Sequence, residues 1–306
     1  MKVKAFFLVA LFVAASVVAS ASSLSSLVPA NAYFVLNCDF AAVMAQPEVK
    51  AVLEHYFETS GQNFTDFYER AGMNPTKAFK TVMLFLDENN QPGIVIQGTF
   101  DSADISKLIQ IDEGLSASFS IGKIGGFQAV KNGLNENANM IFLDKNTMAF
   151  GSDKMLNTIA TLARGKAKNI ISNPHYSGLI EKVDSDSQLW GVIIPSPNWQ
   201  KRANMPVSGV EDMTSAFFSI DYGKDFIFIF TGMVEKKEQL PAFAEGMENI
   251  LDAFKGWVAS VPEVHELLRH AQVMNNQEKL ARIVLNVPAE QFKAMMTKTA
   301  ERSKQN

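Results

Sequence analysis

Cysteine is almost absent: Cys38 stands alone among 306 residues. An internal disulfide is therefore excluded, and stability has to come from burial of apolar surface. Histidine is nearly as scarce, with only His55, His175, His265 and His270, so a zinc site built on several imidazoles has few candidates. Excess positive charge is missing too. The formal net charge is −4, and residues 1–21 contribute Lys2 and Lys4 with no acid, so the remainder sets 26 basic against 32 acidic side chains, a net charge of −6. Such a surface does not suit nucleic acid, whose affinity comes largely from neutralised phosphates. Beyond the first residues no apolar run reaches the roughly 20 residues that cross a bilayer, so no integral membrane segment is expected there.

What is present at the start is a different kind of apolar run. "MKVKAFFLVALFVAASVVASASS" sets two lysines ahead of an apolar and small-residue stretch from Ala5 to Val18, followed by Ala19-Ser20-Ala21. A basic start, a short apolar centre and an A-x-A site form the pattern of a cleaved secretory signal. Residues 1–21 are read as that signal and the rest as an exported chain, periplasmic or extracellular. About 285 residues remain, enough to bury a sizeable core.

Along that remainder, "AYFVLNC" (32–38) reads as a buried strand and Asp39 as the cap of a following helix, with further helix expected over 47–56 and 64–72. "KTVMLFLDENNQPGIVIQGTF" reads as a β-hairpin. Asp101 then caps a helix carrying Ile105, Leu108 and Ile109. "GGFQAVKNG" and "NMIFLDKNTMAFGS" give more strands, and Ser152-Asp153 open a helix with Leu156, Ile159 and Leu162 on one face and Gly165 as its stop. The second half follows a similar order. A short helix and a strand at 189–194 precede the hairpin "SAFFSIDYGKDFIFIFTGMV". The next helix sets Leu240, Phe243, Met247, Ile250, Leu251, Phe254 and Val258 at spacings of three and four, the stripe of a helix lying on a core. A third strand pair, roughly 269–274 and 279–287, leads to a final helix starting at Pro288.

Superposing residues 82–109 on 216–243 aligns strand, turn, strand and helix with little shift, which suggests two related repeats. Each hairpin needs a helix to cover a face, and two such units can join edge to edge or pack as separate sheets. The expected fold class is α+β, with mainly antiparallel sheets and helices packed on one face. Two units are expected, an N-terminal one over 22–170 and a C-terminal one over 171–306, divided where Lys166, Lys168, Asn169 and Pro174 cluster.

The stretches "VPANAYFVLNCDFAAVMAQPEVKAVLE", "GFQAVKNG", "MIFLDKNTMAFGSDKMLNTIATLARG" and "KLARIVLNVPAEQF" together resemble a class of exported bacterial proteins of unknown function, with repeated strand-hairpin-helix modules. The resemblance covers most of the chain beyond the signal, and its motifs are structural. It implies an exported protein and carries over no catalytic residue.

Chemistry-bearing motifs give little. "HELLRH" (265–270) approaches H-E-x-x-H, in which two histidines four apart face one zinc ion. Here His265 and His270 are five apart, about 140° around a helix, and Arg269 holds the ligand position. No metal is expected there. Cys38 at the end of an apolar strand lacks anything to lower its pKa and reads as a buried thiol. Asp101, Asp104, Asp112 and Glu113 lack the spacing of a calcium loop. "DSDS" (184–187) reads as a solvated turn, and "GKIGG" (122–126) leads into a strand where a phosphate site needs a helix. No cofactor is implied. The functional hint is apolar: 23 phenylalanines and 14 methionines, with Phe254, Trp257 and Val258 ending an amphipathic helix. Exposed in part, that stripe would bind a partner protein or an apolar ligand; fully buried, it is core. The expectation is a non-catalytic binding or structural protein of the cell envelope or extracellular space. A hydrolase with a site of dispersed residues and a carrier of an apolar ligand are the alternatives.

Overall fold

The computed structural model describes residues 24–47, 49–50, 78–100, 102–133, 135–183, 187–194, 212–222, 225–258, 262–275 and 278–303. The expected signal, most of the helices expected over 47–56 and 64–72, His55, Asp101, most of "DSDS" and the turn centres at 223–224 and 276–277 lie outside these.

Strand β1 (Ala32–Asp39) covers the expected 32–38 and runs one residue further. The Asp39 carboxylate accepts the Ala42 amide at 3.1 Å and starts the short helix α1 (Phe40–Val43), because a side-chain acceptor satisfies one of the amides that a first helical turn leaves unpaired. The hairpin β2 (Phe79–Asp87) and β3 (Pro92–Gly98) follows, then helices α2 (Ser102–Ile111) and α3 (Glu113–Ser118). Next come β4 (Phe119–Ile124), β5 (Phe127–Asn132), β6 (Asn139–Asp144) and β7 (Thr147–Gly151). Helix α4 (Asp153–Ala163) begins at Ser152, whose hydroxyl accepts from the Met155 amide at 3.3 Å. After α5 (Pro174–Ile180) the chain forms β8 (Leu189–Ile193), β9 (Met213–Tyr222), β10 (Asp225–Val234), the long helix α6 (Leu240–Trp257), α7 (Pro262–Leu268), β11 (Ala271–Asn275), β12 (Leu280–Pro288) and α8 (Ala289–Ser303).

The fold is α+β. Twelve strands among the described residues form one sheet in the order β11-β12-β10-β9-β8-β1-β2-β3-β7-β6-β5-β4, and every pairing is antiparallel. Its seam is β1 against β8, with Val35 opposite Val192 and Asn37 opposite Trp190. Outward from that seam, a hairpin follows on each side: β2-β3 on one and β9-β10 on the other. The β4-β5 hairpin turns on Gly125 and Gly126, at φ 56° and 82°. A two-residue turn of that hand needs positive φ at both positions, which glycine adopts without strain.

The helices divide between the two faces of the sheet, where the sequence pattern led to helices on one face. Beneath one face lies a core drawing Ile105 and Ile109 from α2, Phe243 and Met247 from α6, and Phe292 and Met296 from α8. Under the other, Met155, Leu156 and Ile159 of α4 and Tyr176 and Leu179 of α5 pack on Val35, Phe85 and Trp190. The physical reason is legible in the strands. Asn139–Phe142 in β6 and Leu189–Val192 in β8 are buried at four consecutive positions, and a strand buried on successive residues has cover on both sides. Both cores take residues from each side of position 170: Phe100 joins Phe226 in the first, and Leu24 joins Trp190 in the second.

Cys38 is buried in the first of these cores. Desolvation, and secondarily the neighbouring Asp39 charge, push its thiol well above the ordinary range. The nucleophilic thiolate is thus suppressed across neutral and mildly alkaline pH. Titration of the native protein with a chromogenic disulfide at pH 8 is expected to release no thiol equivalent, and one equivalent after addition of denaturant. Fast release from the native state would show that Cys38 is reached by solvent.

Candidate functional site

The C-terminal half of the sheet and α6 line a partly open cavity of about 270 Å³. Its floor follows from strand periodicity, since alternate residues point to one face. Phe226, Phe228 and Phe230 of β10 lie side by side with Met213 and Ile220 of β9, Ile283 and Leu285 of β12 and Ala271 of β11. The roof follows from helix periodicity. Phe243, Met247, Ile250, Leu251 and Phe254 recur along α6, and Leu267 and Leu268 of α7 close one side. No polar atom contributes to the walls.

Aromatic rings pack on the sheet beside the cavity at two places. The Phe243 ring sits over Gly232 of β10, where a Cβ would collide with it, so the helix rests on bare backbone there. From α8, Phe292 stacks on Phe226 with ring centroids 4.4 Å apart and an interplanar angle of 4°, and meets Tyr222 at 5.1 Å. Phe243 is fully buried, whereas Ile193 of β8, Phe228, Phe230, Ile250 and Phe254 are half-buried. Solvent therefore approaches the cavity along those five side chains.

The residues singled out from sequence fall on or beside this cavity in different ways. Phe254 lines it. Val258 follows the last turn of α6 and is buried. Trp257 is the last residue of α6, and its side chain lies outside the described residues.

"HELLRH" contributes through its apolar pair. Leu267 and Leu268 turn inward to the cavity, while Glu266 pairs with Arg269 at 2.9 Å. The hydrogen bond from Arg269 holds the Glu266 carboxyl below the usual range. His265 lies on α7, and His270 falls in the turn before β11, its Nε2 3.0 Å from the Gln291 side-chain nitrogen. Among the described residues no group of three or more histidine, cysteine, aspartate or glutamate side chains could hold a metal ion. Asp112 caps α3 through the Leu115 amide at 3.0 Å, and Ser187, the described end of "DSDS", donates to Asp221 at 2.7 Å.

On the outer side of α7 lies a second, more open space of about 450 Å³ between α7 and α8. Pro262, Glu266 and Leu267 form one bank, and Val287, Gln291, Ala294, Met295 and Lys298 the other. Leu267 lines both spaces.

Sequence reading placed most of the cavity's residues on the correct strands and helices as core. It did not find the void, because a phenylalanine that fills a core and one that borders a cavity have the same periodicity. The usable signal was the run Phe226, Phe228 and Phe230, three large rings on one face of one strand.

Neither protein-family models nor curated proteins give a match to this chain. Among solved structures it is similar to crystal form I of TP0453, at 10% identity over 89% of this chain and 96% of that one, with a TM-score of 0.47. No helix among the described residues is long and apolar enough to cross a membrane.

Proposed function

We propose that this protein is an exported, non-catalytic binding protein that carries an apolar ligand between the sheet and α6. The observation that carries the reading is the cavity of about 270 Å³ with wholly apolar walls. An apolar cavity of about 150 Å³ stays dry and takes up benzene. Ile193, Phe228, Phe230, Ile250 and Phe254 are only half-buried along this space, and an apolar occupant would take their exposed surface out of water at about 25 cal/mol per Å² covered. The basic and apolar start of the chain, with its Ala19-Ser20-Ala21 site, supports export. A carrier outside the cytoplasm gives such a site a use, since apolar compounds need protection from water in transit.

N-phenyl-1-naphthylamine, an uncharged apolar dye, tests the reading directly. Titration into the purified protein is expected to give a saturable fluorescence rise with about one site per chain. Native mass spectrometry of protein taken gently from its producing cells should show an added mass that organic extraction removes. Linear, non-saturating dye uptake together with a bare chain mass would refute the carrier reading.

A further inference from the structure

We infer that the ligand is a single-chain amphiphile with an anionic head, its hydrocarbon tail in the cavity and its head in the groove between α7 and α8, beside Lys298. The inference rests on the apolar-ligand reading above and extends it to a chemical class.

The cavity itself sets the first constraint. Its walls offer no hydrogen-bond donor or acceptor, and a polar head buried there would lose its water without compensation. Any head must therefore lie outside the cavity. Scaling from benzene in about 150 Å³, the cavity holds a hydrocarbon of about eleven carbons, which is a medium-length acyl or alkyl tail.

Where the head goes follows from α7. Leu267 lines both the cavity and the groove, so the two spaces meet at this side chain of α7, and the tail would pass from one to the other there. Along the rest of the cavity the half-buried wall residues are Ile193, Phe228, Phe230, Ile250 and Phe254, which offer a head nothing.

The charge of the head follows from the groove. It contains one carboxylate and one ammonium, Glu266 and Lys298, together with the Gln291 amide. Glu266 is engaged by Arg269 at 2.9 Å, and the Gln291 amide nitrogen is 3.0 Å from His270. Lys298 is exposed and has no ion-pair partner among the described residues. Among the described residues the cation is thus unpaired while Glu266 is held by Arg269, and on that ground the groove favours a negative head.

Displacement of N-phenyl-1-naphthylamine by three competitors of equal tail length tests this: dodecanoate, dodecanol and dodecyltrimethylammonium, each below its aggregation concentration. The unaltered protein is expected to bind dodecanoate about three- to fivefold more tightly than dodecanol, the scale of one exposed charge pair, and the cation most weakly. Lys298→Glu should reverse the order of dodecanoate and the cation, and Lys298→Arg should keep the original order. If all three competitors displace the dye equally and Lys298→Glu changes nothing, the head-group inference is overturned while the cavity reading stands. If dodecanol alone displaces it, the ligand is uncharged and the inference again falls. Absence of saturable dye uptake would remove the carrier reading itself, and this inference with it.

Discussion

Ala271→Leu is expected to make the ligand-free protein more stable and to end its uptake of apolar compounds. Ala271 lies on β11 and its side chain forms part of the cavity floor. Three added carbons would project into space that no atom fills, beneath Leu267 and Leu268 and beside Ile283 and Leu285. At about 0.8 kcal/mol per buried methylene the gain is about 2 kcal/mol. For a chain of this size that corresponds to a rise in melting temperature of about 4–8 °C. In a well-packed core the same substitution has the opposite sign, costing about 1–3 kcal/mol through overpacking. Calorimetry therefore reports whether the space is empty, and dye titration reports whether it is the binding site. A higher melting temperature with undiminished uptake would move the ligand elsewhere in the molecule. A lower one would show that the floor is already filled.

Much of the fold was legible because local signals and tertiary structure agree. Asp39 was expected as a helix cap and Ser152-Asp153 as a helix start, and Asp39 and Ser152 both accept an amide from the first turn. The apolar stripe of α6 and the two hairpins β2-β3 and β9-β10 follow directly from periods of 3.6 and 2. The division of helices between the two faces was less accessible. Alternation shows which residues of a strand point together, but in β6 and β8 the burial of successive residues hides that signal. The joining of strands into one sheet depends on β1 meeting β8, a pairing between segments more than 150 residues apart that leaves no local trace. The site was less legible still. Phe254 could be named because it ends a stripe, yet its neighbours across the cavity come from five strands and a second helix. Leu267 and Leu268 were hidden within a motif that drew attention to its histidines. What brings them to the cavity wall is the position of α7, a property of three dimensions.

Phe243→Ala and Phe85→Ala are expected to cost the same and to differ in whether a ligand can repair the damage. Both rings are fully buried, and each lies over a glycine: Phe243 over Gly232, and Phe85 over Gly93, its partner across the β2-β3 ladder. Removing either ring should destabilise the protein by about 3–5 kcal/mol, the usual cost of a buried phenylalanine truncated to alanine. The two rings nevertheless serve opposite faces of the sheet. Phe85 belongs to the core under α4 and α5, whereas Phe243 borders the cavity. Phe243→Ala therefore enlarges an existing site, and an apolar ligand bulkier than the unaltered protein accepts should restore part of the loss. At a free concentration 100-fold above its dissociation constant a ligand stabilises by about 2.7 kcal/mol, which thermal unfolding resolves. The new void in Phe85→Ala has no connection to the cavity, so that bulkier ligand should leave its stability unchanged. Equal rescue of both variants would mean that ligand stabilises the protein from some other place. Rescue of Phe243→Ala alone would tie the energetics of one face of the sheet to what the protein carries, and leave the opposite face as the scaffold.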